Sequence, residues 1–206
     1  MLVDDHAVLR AGVRRLIEQD GRCLVVAEAD SGENAYQQYA IYLPDIVIID
    51  LSMPGMGGME AITRIVARYP AAKLLVLSMH ENAVFANQAL KAGAKGYLCK
   101  NGLAEELVNA LQHITNGQIY INANITKKIA QQFLNNESTL LQQLSVREFE
   151  IFRMLAEGAE SADIGKKLNI SGKTVSNYQT SIKQKLGVNN SVELVRLAIR
   201  SGLIDS

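Results

Sequence analysis

Apolar runs alternate with helical stretches through the first half of the chain. Runs that are apolar almost without interruption are typical of buried parallel strands, and they predict strands at roughly residues 1–4, 24–29, 45–50, 73–79 and 96–100. The stretches between them predict helices at roughly 6–19, 31–42, 57–68, 82–92 and 103–116. This alternation predicts an α/β fold, a flavodoxin-like doubly wound parallel sheet of five strands.

The pattern changes after residue 117, where strand signals stop. A linker is expected over residues 118–140, with a short helix over 124–134 and a polar stretch over 135–139. Only helices are predicted beyond it, at about 145–157, 160–168, 172–186 and 191–201. Three of them begin at capping side chains, namely Ser145 with Glu148, Ser171, and Asn190 with Glu193. The short turn at 169–171 indicates a small all-α four-helix helix-turn-helix domain over 141–206, after a first domain over 1–117.

Polar side chains follow four of the predicted strands. Asp4 and Asp5 follow the first, Asp50 ends the third, Ser78 ends the fourth and Lys100 ends the fifth. The carboxyl ends of parallel strands lie at one edge of the sheet, where functional sites form. We therefore expect these side chains to converge in space.

Clustered carboxylates repel one another unless a cation neutralises them, and a small set of hard oxygen ligands suits Mg²⁺. Asp4, Asp5 and Asp50 are the expected ligands, with the backbone carbonyl of Ser52 as a further candidate. Asp50 is also the expected nucleophile, because a carboxylate can form an aspartyl-phosphate. Lys100 would offset the charge on the phosphoryl oxygens.

Two further residues predict a conformational switch. Ser78 would hydrogen-bond a phosphoryl oxygen and draw the following loop with it, which frees space for Tyr97 to turn inward. The simpler alternatives are that Ser78 satisfies backbone groups and that Tyr97 is a core residue. His6 is expected to start a helix rather than bind the metal, because imidazole is a poor Mg²⁺ ligand.

The helix predicted over 172–186 is basic and suits double-stranded DNA. Lysines supply phosphate contacts, and neutral polar side chains near the helix start could reach base edges in the major groove. The candidate DNA-contacting residues are Lys173, Thr174, Ser176, Asn177, Thr180, Lys183 and Lys185. Val175, Ile182 and Leu186 are expected to face the domain core. A helix of this kind could also belong to a protein-binding module.

The last predicted helix is too apolar for a single buried stripe, since it carries Val192, Val195 and Ile199 besides three further apolar residues. One face can pack on its own domain and the other on a second copy. A homodimer would then hold two recognition helices one DNA turn apart. Complete burial within one domain is the alternative.

Composition and charge add less to the predicted fold and function than the motifs do. Net charge is −3 over residues 1–117 (10 Lys and Arg against 13 Asp and Glu) and +2 over 141–206 (9 against 7), a weak hint of different partners. Cys23 and Cys99 are expected to be two reduced, buried thiols of a cytoplasmic protein. No apolar run approaches the roughly 20 residues of a membrane span. No signal peptide is expected, because the N-terminus leads directly into a strand and the acids Asp4 and Asp5. The first strand is expected either to be very short or to begin upstream of Met1.

On these residues the chain resembles a two-component response regulator of the NarL/FixJ class, with a receiver domain and a LuxR-type helix-turn-helix. The receiver resemblance rests on residues 2–6, 50–60 and 93–100, and the output resemblance on 144–148, 170–175, 185–188 and 198–204. It implies that a histidine kinase phosphorylates Asp50, and that the receiver catalyses this transfer and a slow dephosphorylation without being a turnover enzyme. It also implies that Ser78, Tyr97 and Lys100 fall on switch positions.

The same resemblance implies that Ser176, Asn177 and Thr180 fall on base-reading positions. Members of the class often carry Lys or Arg at one or more of these positions, whereas all three are neutral here. The expected function is a phosphorylation-gated transcription factor, in which the unphosphorylated receiver masks the helix-turn-helix or leaves it monomeric. Two alternatives are a Mg²⁺-dependent phosphatase, which would need an acid where Ser52 stands, and a phosphorylation-independent regulator whose receiver only binds proteins.

Overall fold

The apolar runs of the first half form strands, and the stretches between them form helices. The computed structural model describes residues 1–19, 21–101, 103–134 and 138–204, without the side chains of 103–105, 132–134 and 138–139. Its first elements are β1 (Leu2–Val3), α1 (Ala7–Glu18), β2 (Glu28–Ala29), α2 (Gly32–Tyr42), β3 (Val47–Asp50), α3 (Gly57–Arg68), β4 (Leu74–Ser78), α4 (Ala83–Ala92), β5 (Gly96–Cys99), α5 (Leu103–Thr115) and β6 (Tyr120–Ile121).

The strands form one parallel sheet in the order β2-β1-β3-β4-β5-β6. Helices α1 and α5 pack on one face, where Val13, Ile17 and Leu107 join apolar residues of the strands in a common core. This burial of apolar surface holds the sheet between its helices. The predicted α/β doubly wound fold is confirmed, and the carboxyl ends of the parallel strands share one edge.

The prediction of five strands is wrong, because the sheet has a sixth. Residues Tyr120 and Ile121 pair in parallel with Gly96 and Tyr97 of β5. A strand of two half-buried residues is too short to give an apolar run, and it falls inside the segment predicted as linker. Pairing with β5, rather than a local pattern, makes this segment a strand.

Strand β2 is shorter than the predicted range 24–29. Exposure alternates along the segment, with Leu24 73% and Val26 44% exposed and Val25 and Ala27 buried. Only Glu28 and Ala29 pair, because β1 offers just two residues opposite them. The prediction of two buried thiols is also wrong, since Cys23, which precedes this segment, is exposed while Cys99 is buried.

The remaining elements are helices, as predicted. They are α6 (Ala123–Leu134), α7 (Ser138–Leu141), α8 (Val146–Ala156), α9 (Ser161–Leu168), α10 (Gly172–Leu186) and α11 (Ser191–Arg200). Helix α7 begins inside the stretch predicted to be polar linker, of which residues 135–137 lie outside the described part. The chain forms two compact units, one of residues 1–81 with 89–124 and one of 82–88 with 125–206. The domain limits predicted at 117 and 141 stay predictions.

Local capping bounds the helices of the second unit. The capping box of Ser145 and Glu148 is formed at α8, and the Ser171 and Asn190 side chains cap α10 and α11. Between α9 and α10 the chain turns tightly at Asn169, whose φ is 56°. A Cβ at Gly165 would lie 2.8 Å from the carbonyl oxygen of Ile170, so the turn requires glycine there. None of the helices in the described residues has both the length and the hydropathy of a membrane span.

Candidate phosphorylation site and nucleic-acid interface

Four charged side chains meet at the carboxyl edge of the sheet. Asp4 and Asp5 follow β1, Asp50 ends β3 and Lys100 follows β5. The Nζ atom of Lys100 lies 2.7 Å from Oδ2 of Asp4 and 3.1 Å from Oδ2 of Asp50, and all three side chains are almost completely buried. The structure therefore brings together residues that are up to 96 positions apart in the chain.

The acids have the chemistry of a site for a hard divalent cation. One ligand atom from each of Asp4, Asp5, His6 and Asp50 lies within 4.8 Å of the others, and three of these residues supply carboxylate oxygens, which Mg²⁺ prefers. The Nδ1 atom of His6 lies 3.1 Å from Oδ1 of Asp4 and of Asp5. His6 precedes α1 as predicted, but its side chain makes no capping hydrogen bond. The imidazole instead lies beside the acids, largely exposed.

The electrostatics of Asp50 differ from those of an ordinary surface acid. Burial raises the pKa of Asp50; Lys100 opposes the rise and the neighbouring Asp4 adds to it. The net direction is upward, so the ionised form of Asp50 is destabilised. A cation held by the same oxygens would offset that penalty, so the raised pKa of Asp50 is consistent with a metal site at these residues.

The loop after β3 approaches Asp50 closely. A Cβ at Gly58 would lie 2.0 Å from the carbonyl oxygen of Asp50, so no other residue fits at this position without displacing the backbone. The backbone N–H of Gly58 donates to the carbonyl of Leu51 at 3.2 Å. Ser52 lies in this loop, between Leu51 and Gly58, and is exposed. The role of its carbonyl as a metal ligand stays a prediction.

Ser78 ends β4 opposite Cys99, two residues beyond the partner of Tyr97 on β5, and both Ser78 and Tyr97 are fully buried. The Ser78 hydroxyl accepts a hydrogen bond from the backbone N–H of His80 at 3.1 Å, and the Tyr97 hydroxyl donates to the His80 carbonyl at 2.7 Å. Burial raises the pKa of Tyr97, so its hydroxyl stays a donor. Tyr97 thus lies inward, and both hydroxyls are bonded to His80 in the loop after β4. The switch roles of Ser78 and Tyr97 stay predictions.

Helix α10 presents a polar face. Val175, Ile182 and Leu186 are buried, as predicted, while the side chains of Lys173, Ser176, Asn177 and Thr180 are exposed. Ser176 and Thr180 donate their hydroxyls to backbone carbonyls one turn back in the helix. Thr174 shares a hydrogen bond with the capping Ser171 and is half-buried, as is Lys183.

Sequence reasoning missed one exposed residue on this face. Gln184 follows Asn177 and Thr180 by seven and four positions, so helical spacing alone would have found it.

Lys185 has a partner inside the domain. Its Nζ lies 2.6 Å from Oε2 of the buried Glu148, and Ser181 donates its hydroxyl to Oε1 at 2.7 Å. Burial alone would raise the pKa of Glu148, but hydrogen bonds from Lys185, the Ser145 backbone and Ser181 outweigh it and lower the pKa to about 2. Sequence reasoning identified Glu148 only as a capping residue, since no local pattern shows a contact across 37 positions.

On α11, Leu194, Leu197 and Ala198 are buried, while Val192 is 61% and Ile199 37% exposed. The helix therefore has one face in its own core and apolar side chains outside it. Contact of these outer side chains with a second copy stays a prediction.

Comparison with known proteins identifies the class. Residues 1–112 match the family of response regulator receiver domains, and residues 142–198 match bacterial regulatory proteins of the luxR family. The chain belongs to the response regulators that join a receiver domain to a LuxR-type DNA-binding domain, and the resemblance to the NarL/FixJ class is confirmed. These families are transcription regulators rather than turnover enzymes.

Individual relatives match over nearly their whole length. The response regulator UvrY of Escherichia coli K12 is 39% identical over 209 residues, which cover 100% of this chain and 95% of UvrY. The oxygen regulatory protein NreC of Staphylococcus carnosus is 36% identical, covering 100% of this chain and 98% of NreC. Among solved structures, Salmonella enterica RcsB bound to promoter P1flhDC with the phosphomimetic BeF3⁻ is 29% identical, with a TM-score of 0.71 over 95% of each chain.

Proposed function

We propose that a histidine kinase phosphorylates Asp50 and that this modification switches DNA binding by α10. The observation that carries the proposal is the buried carboxylate of Asp50 at a strand end, 3.1 Å from Lys100 and clustered with Asp4 and Asp5. It is supported by the receiver match over residues 1–112.

The transfer needs few groups. An oxygen of Asp50 attacks the phosphorus of a kinase phosphohistidine, the P–N bond breaks, and the departing imidazole keeps the electron pair and takes up a proton. Asp4, Asp5, Asp50 and the Ser52 carbonyl would hold Mg²⁺, which supplies positive charge to the phosphoryl oxygens. Lys100 adds an ammonium group, and water later hydrolyses the acyl phosphate slowly. Asp50 acts here as an acceptor and not as the nucleophile of a turnover enzyme.

Ser78 is proposed to couple the phosphate to the protein. Its hydroxyl is bonded to the N–H of His80, and Tyr97 is bonded to the carbonyl of the same residue. If Ser78 turns to a phosphoryl oxygen, the bond from the His80 N–H is lost and the loop after β4 is drawn toward the phosphate. Tyr97 then stabilises the inward arrangement, so the two hydroxyls bias one two-state element.

Double-stranded DNA is the proposed ligand of the second unit. Asn177 lies exposed in the first half of α10 and can pair bidentately with adenine, while Ser176 and Thr180 flank it. Lys173 is exposed at the helix start and suits a phosphate. Thr174 and Lys183 are half-buried and Lys185 is bonded to Glu148, so we assign these three a smaller share of phosphate binding.

A homodimer on DNA is the proposed active form. Val192 and Ile199 of α11 supply exposed apolar surface for a second copy, and a dimer doubles the phosphate contacts. A DNA partner in turn implies a cytoplasmic location. The alternative, regulation without phosphorylation, is weaker because the complete acid set and Lys100 are in place.

Selection of duplexes from a random pool tests the proposal, using the full chain with and without Mg²⁺ and beryllofluoride, a mimic of the phosphoryl group. We expect a two-fold symmetric motif that is enriched only with the mimic. The same motif under both conditions would show that DNA binding does not depend on phosphorylation. Failure to enrich any motif would contradict the DNA-binding role.

A further inference from the structure

The first turn of α2 contacts the loop that follows Asp50. The Oε1 atom of Glu33 accepts a hydrogen bond from the backbone N–H of Met56 at 2.9 Å. A Cβ at Gly55 would lie 2.7 Å from the same oxygen, so the carboxylate rests directly on the loop. Close packing continues at Gly32, where a Cβ would lie 2.8 Å from the carbonyl of Gly57. The loop is therefore held by α2 as well as by its own strand.

Glu33 makes no other hydrogen bond or ion pair among the described residues. The N-cap of α2 is Ser31, whose side chain accepts from the N–H of Asn34, so Glu33 is not needed for capping. Within the described part of the chain, Glu33 forms no salt bridge, and its only hydrogen bond there goes to Met56. Its position in the first turn of α2 also favours a negative charge through the helix dipole. An exposed glutamate whose single partner is a loop amide 23 residues away is a tether.

The tether acts on the one predicted metal ligand that is not a side chain. The loop is tied at one end by the bond from Gly58 N–H to Leu51 and by the close approach of Gly58 to Asp50. Glu33 ties it at Met56, and the carbonyl of Ser52 lies between Leu51 and Met56. A carbonyl in a loop tied at both ends has fewer orientations to lose when it binds a cation.

We propose that Glu33 is a positioning residue for the metal site, which orients the loop of the Ser52 carbonyl through the Met56 amide. The inference rests on the proposed Mg²⁺ site and adds to it a residue outside the acid cluster. Because the bond is single and solvent-exposed, its loss should weaken Mg²⁺ binding by about three- to tenfold rather than abolish it.

Three substitutions separate the effect of the hydrogen bond between Glu33 and Met56 from the effect of the negative charge on Glu33. Glu33→Ala removes both the acceptor and the charge, and Glu33→Gln removes the charge but keeps an oxygen that can accept from Met56. Glu60→Ala is the matched control, since Glu60 is a carboxylate in the first turn of α3 whose partner is Arg64 at 2.8 Å, and not a loop amide. The full chain of each variant is titrated with Mg²⁺ by ¹⁵N NMR, and hydrogen exchange of the Met56 amide is measured without metal.

We expect Glu33→Ala to bind Mg²⁺ about three- to tenfold more weakly and its Met56 amide to exchange faster, with Glu33→Gln and Glu60→Ala within about twofold of the wild type. A purely structural role would change thermal stability without moving the Mg²⁺ affinity. Wild-type affinity in Glu33→Ala would overturn the inference, as would equal losses in Glu33→Ala and Glu33→Gln. No Mg²⁺ binding by the wild type would overturn the metal site itself, and the inference with it.

Discussion

Each unit of the protein contains a buried carboxylate held by a lysine, and the two carboxylates behave in opposite ways. Asp50 contacts Lys100 but also lies beside Asp4, and burial raises its pKa. Glu148 contacts Lys185 and accepts further hydrogen bonds from Ser145 and Ser181, which lower its pKa to about 2.

The two carboxylates differ in how completely hydrogen-bond donors and positive charge compensate their negative charge. Glu148 is surrounded by donors alone, so its charge stabilises the fold and joins α8 to α10. Asp50 shares its one lysine with a second acid, so the site has an excess of negative charge. We therefore take the unbalanced second acid beside Asp50, rather than the buried ion pair itself, as the feature that makes Asp50 a functional candidate.

Removing Lys100 should have the largest effect on the comparison. In Lys100→Ala the buried Asp4 and Asp50 lose their cation, so we expect a loss of about 3 kcal/mol in the free energy of unfolding without metal. Added Mg²⁺ should recover part of it. Urea unfolding with and without Mg²⁺ measures both effects. The control is Lys73→Ala, because Lys73 donates a solvent-exposed hydrogen bond to the backbone carbonyl of Thr115 and contacts no acid of the site. If Lys100→Ala kept the wild-type free energy of unfolding and Mg²⁺ did not change it, the acids would not be destabilised by mutual repulsion.

Removing Glu148 should cost less, because the freed Lys185 is 40% exposed and can be solvated. We expect Glu148→Ala to lose about 1–3 kcal/mol of the free energy of unfolding, through the unsatisfied Ser145 N–H and Ser181 hydroxyl. Glu157→Ala at the opposite end of α8, whose acid contacts Arg153 at the surface, should lose less than about 0.5 kcal/mol. Similar losses in the two variants would remove the distinction drawn here for Glu148.

The pH dependence follows from the lowered pKa of Glu148. A depressed folded-state pKa means that the unfolded chain binds the proton more readily, so the stabilisation is complete above the ordinary value of 4.5. It should be lost as pH falls from about 4.5 toward 2. Unfolding of wild type and Glu148→Gln over this range tests it, since the difference between the two should shrink with falling pH. A constant difference would contradict the stated pKa.

The smallest effect concerns base reading. Asn177→Ala should weaken binding to a selected duplex by about tenfold and relax preference at one base pair, because a bidentate contact to adenine is lost. Lys173→Ala should weaken all sequences alike and reduce the slope of log affinity against log salt by about one. Competition binding with single-base variants of the duplex separates the two. An unchanged base preference in Asn177→Ala would place base reading elsewhere on α10.

Sequence patterns predicted the features that depend on residues close together in the chain. The caps at Ser145, Ser171 and Asn190 and the acids at strand ends follow from local chemistry and from the shared edge of a parallel sheet. Contacts between distant residues give no local signal. The bonds from Lys185 to Glu148 and from Met56 to Glu33 are of this kind, as is the pairing that makes Tyr120–Ile121 a strand.

The central claim is that the unbalanced acid Asp50 controls DNA binding. The most direct test compares wild type and Asp50→Ala for affinity to a selected duplex and for dimer formation, with Mg²⁺ and a small-molecule phosphodonor. We expect the donor to tighten binding and favour dimers in the wild type, and to change neither in Asp50→Ala. An equal response of the two proteins to the donor would contradict the claim.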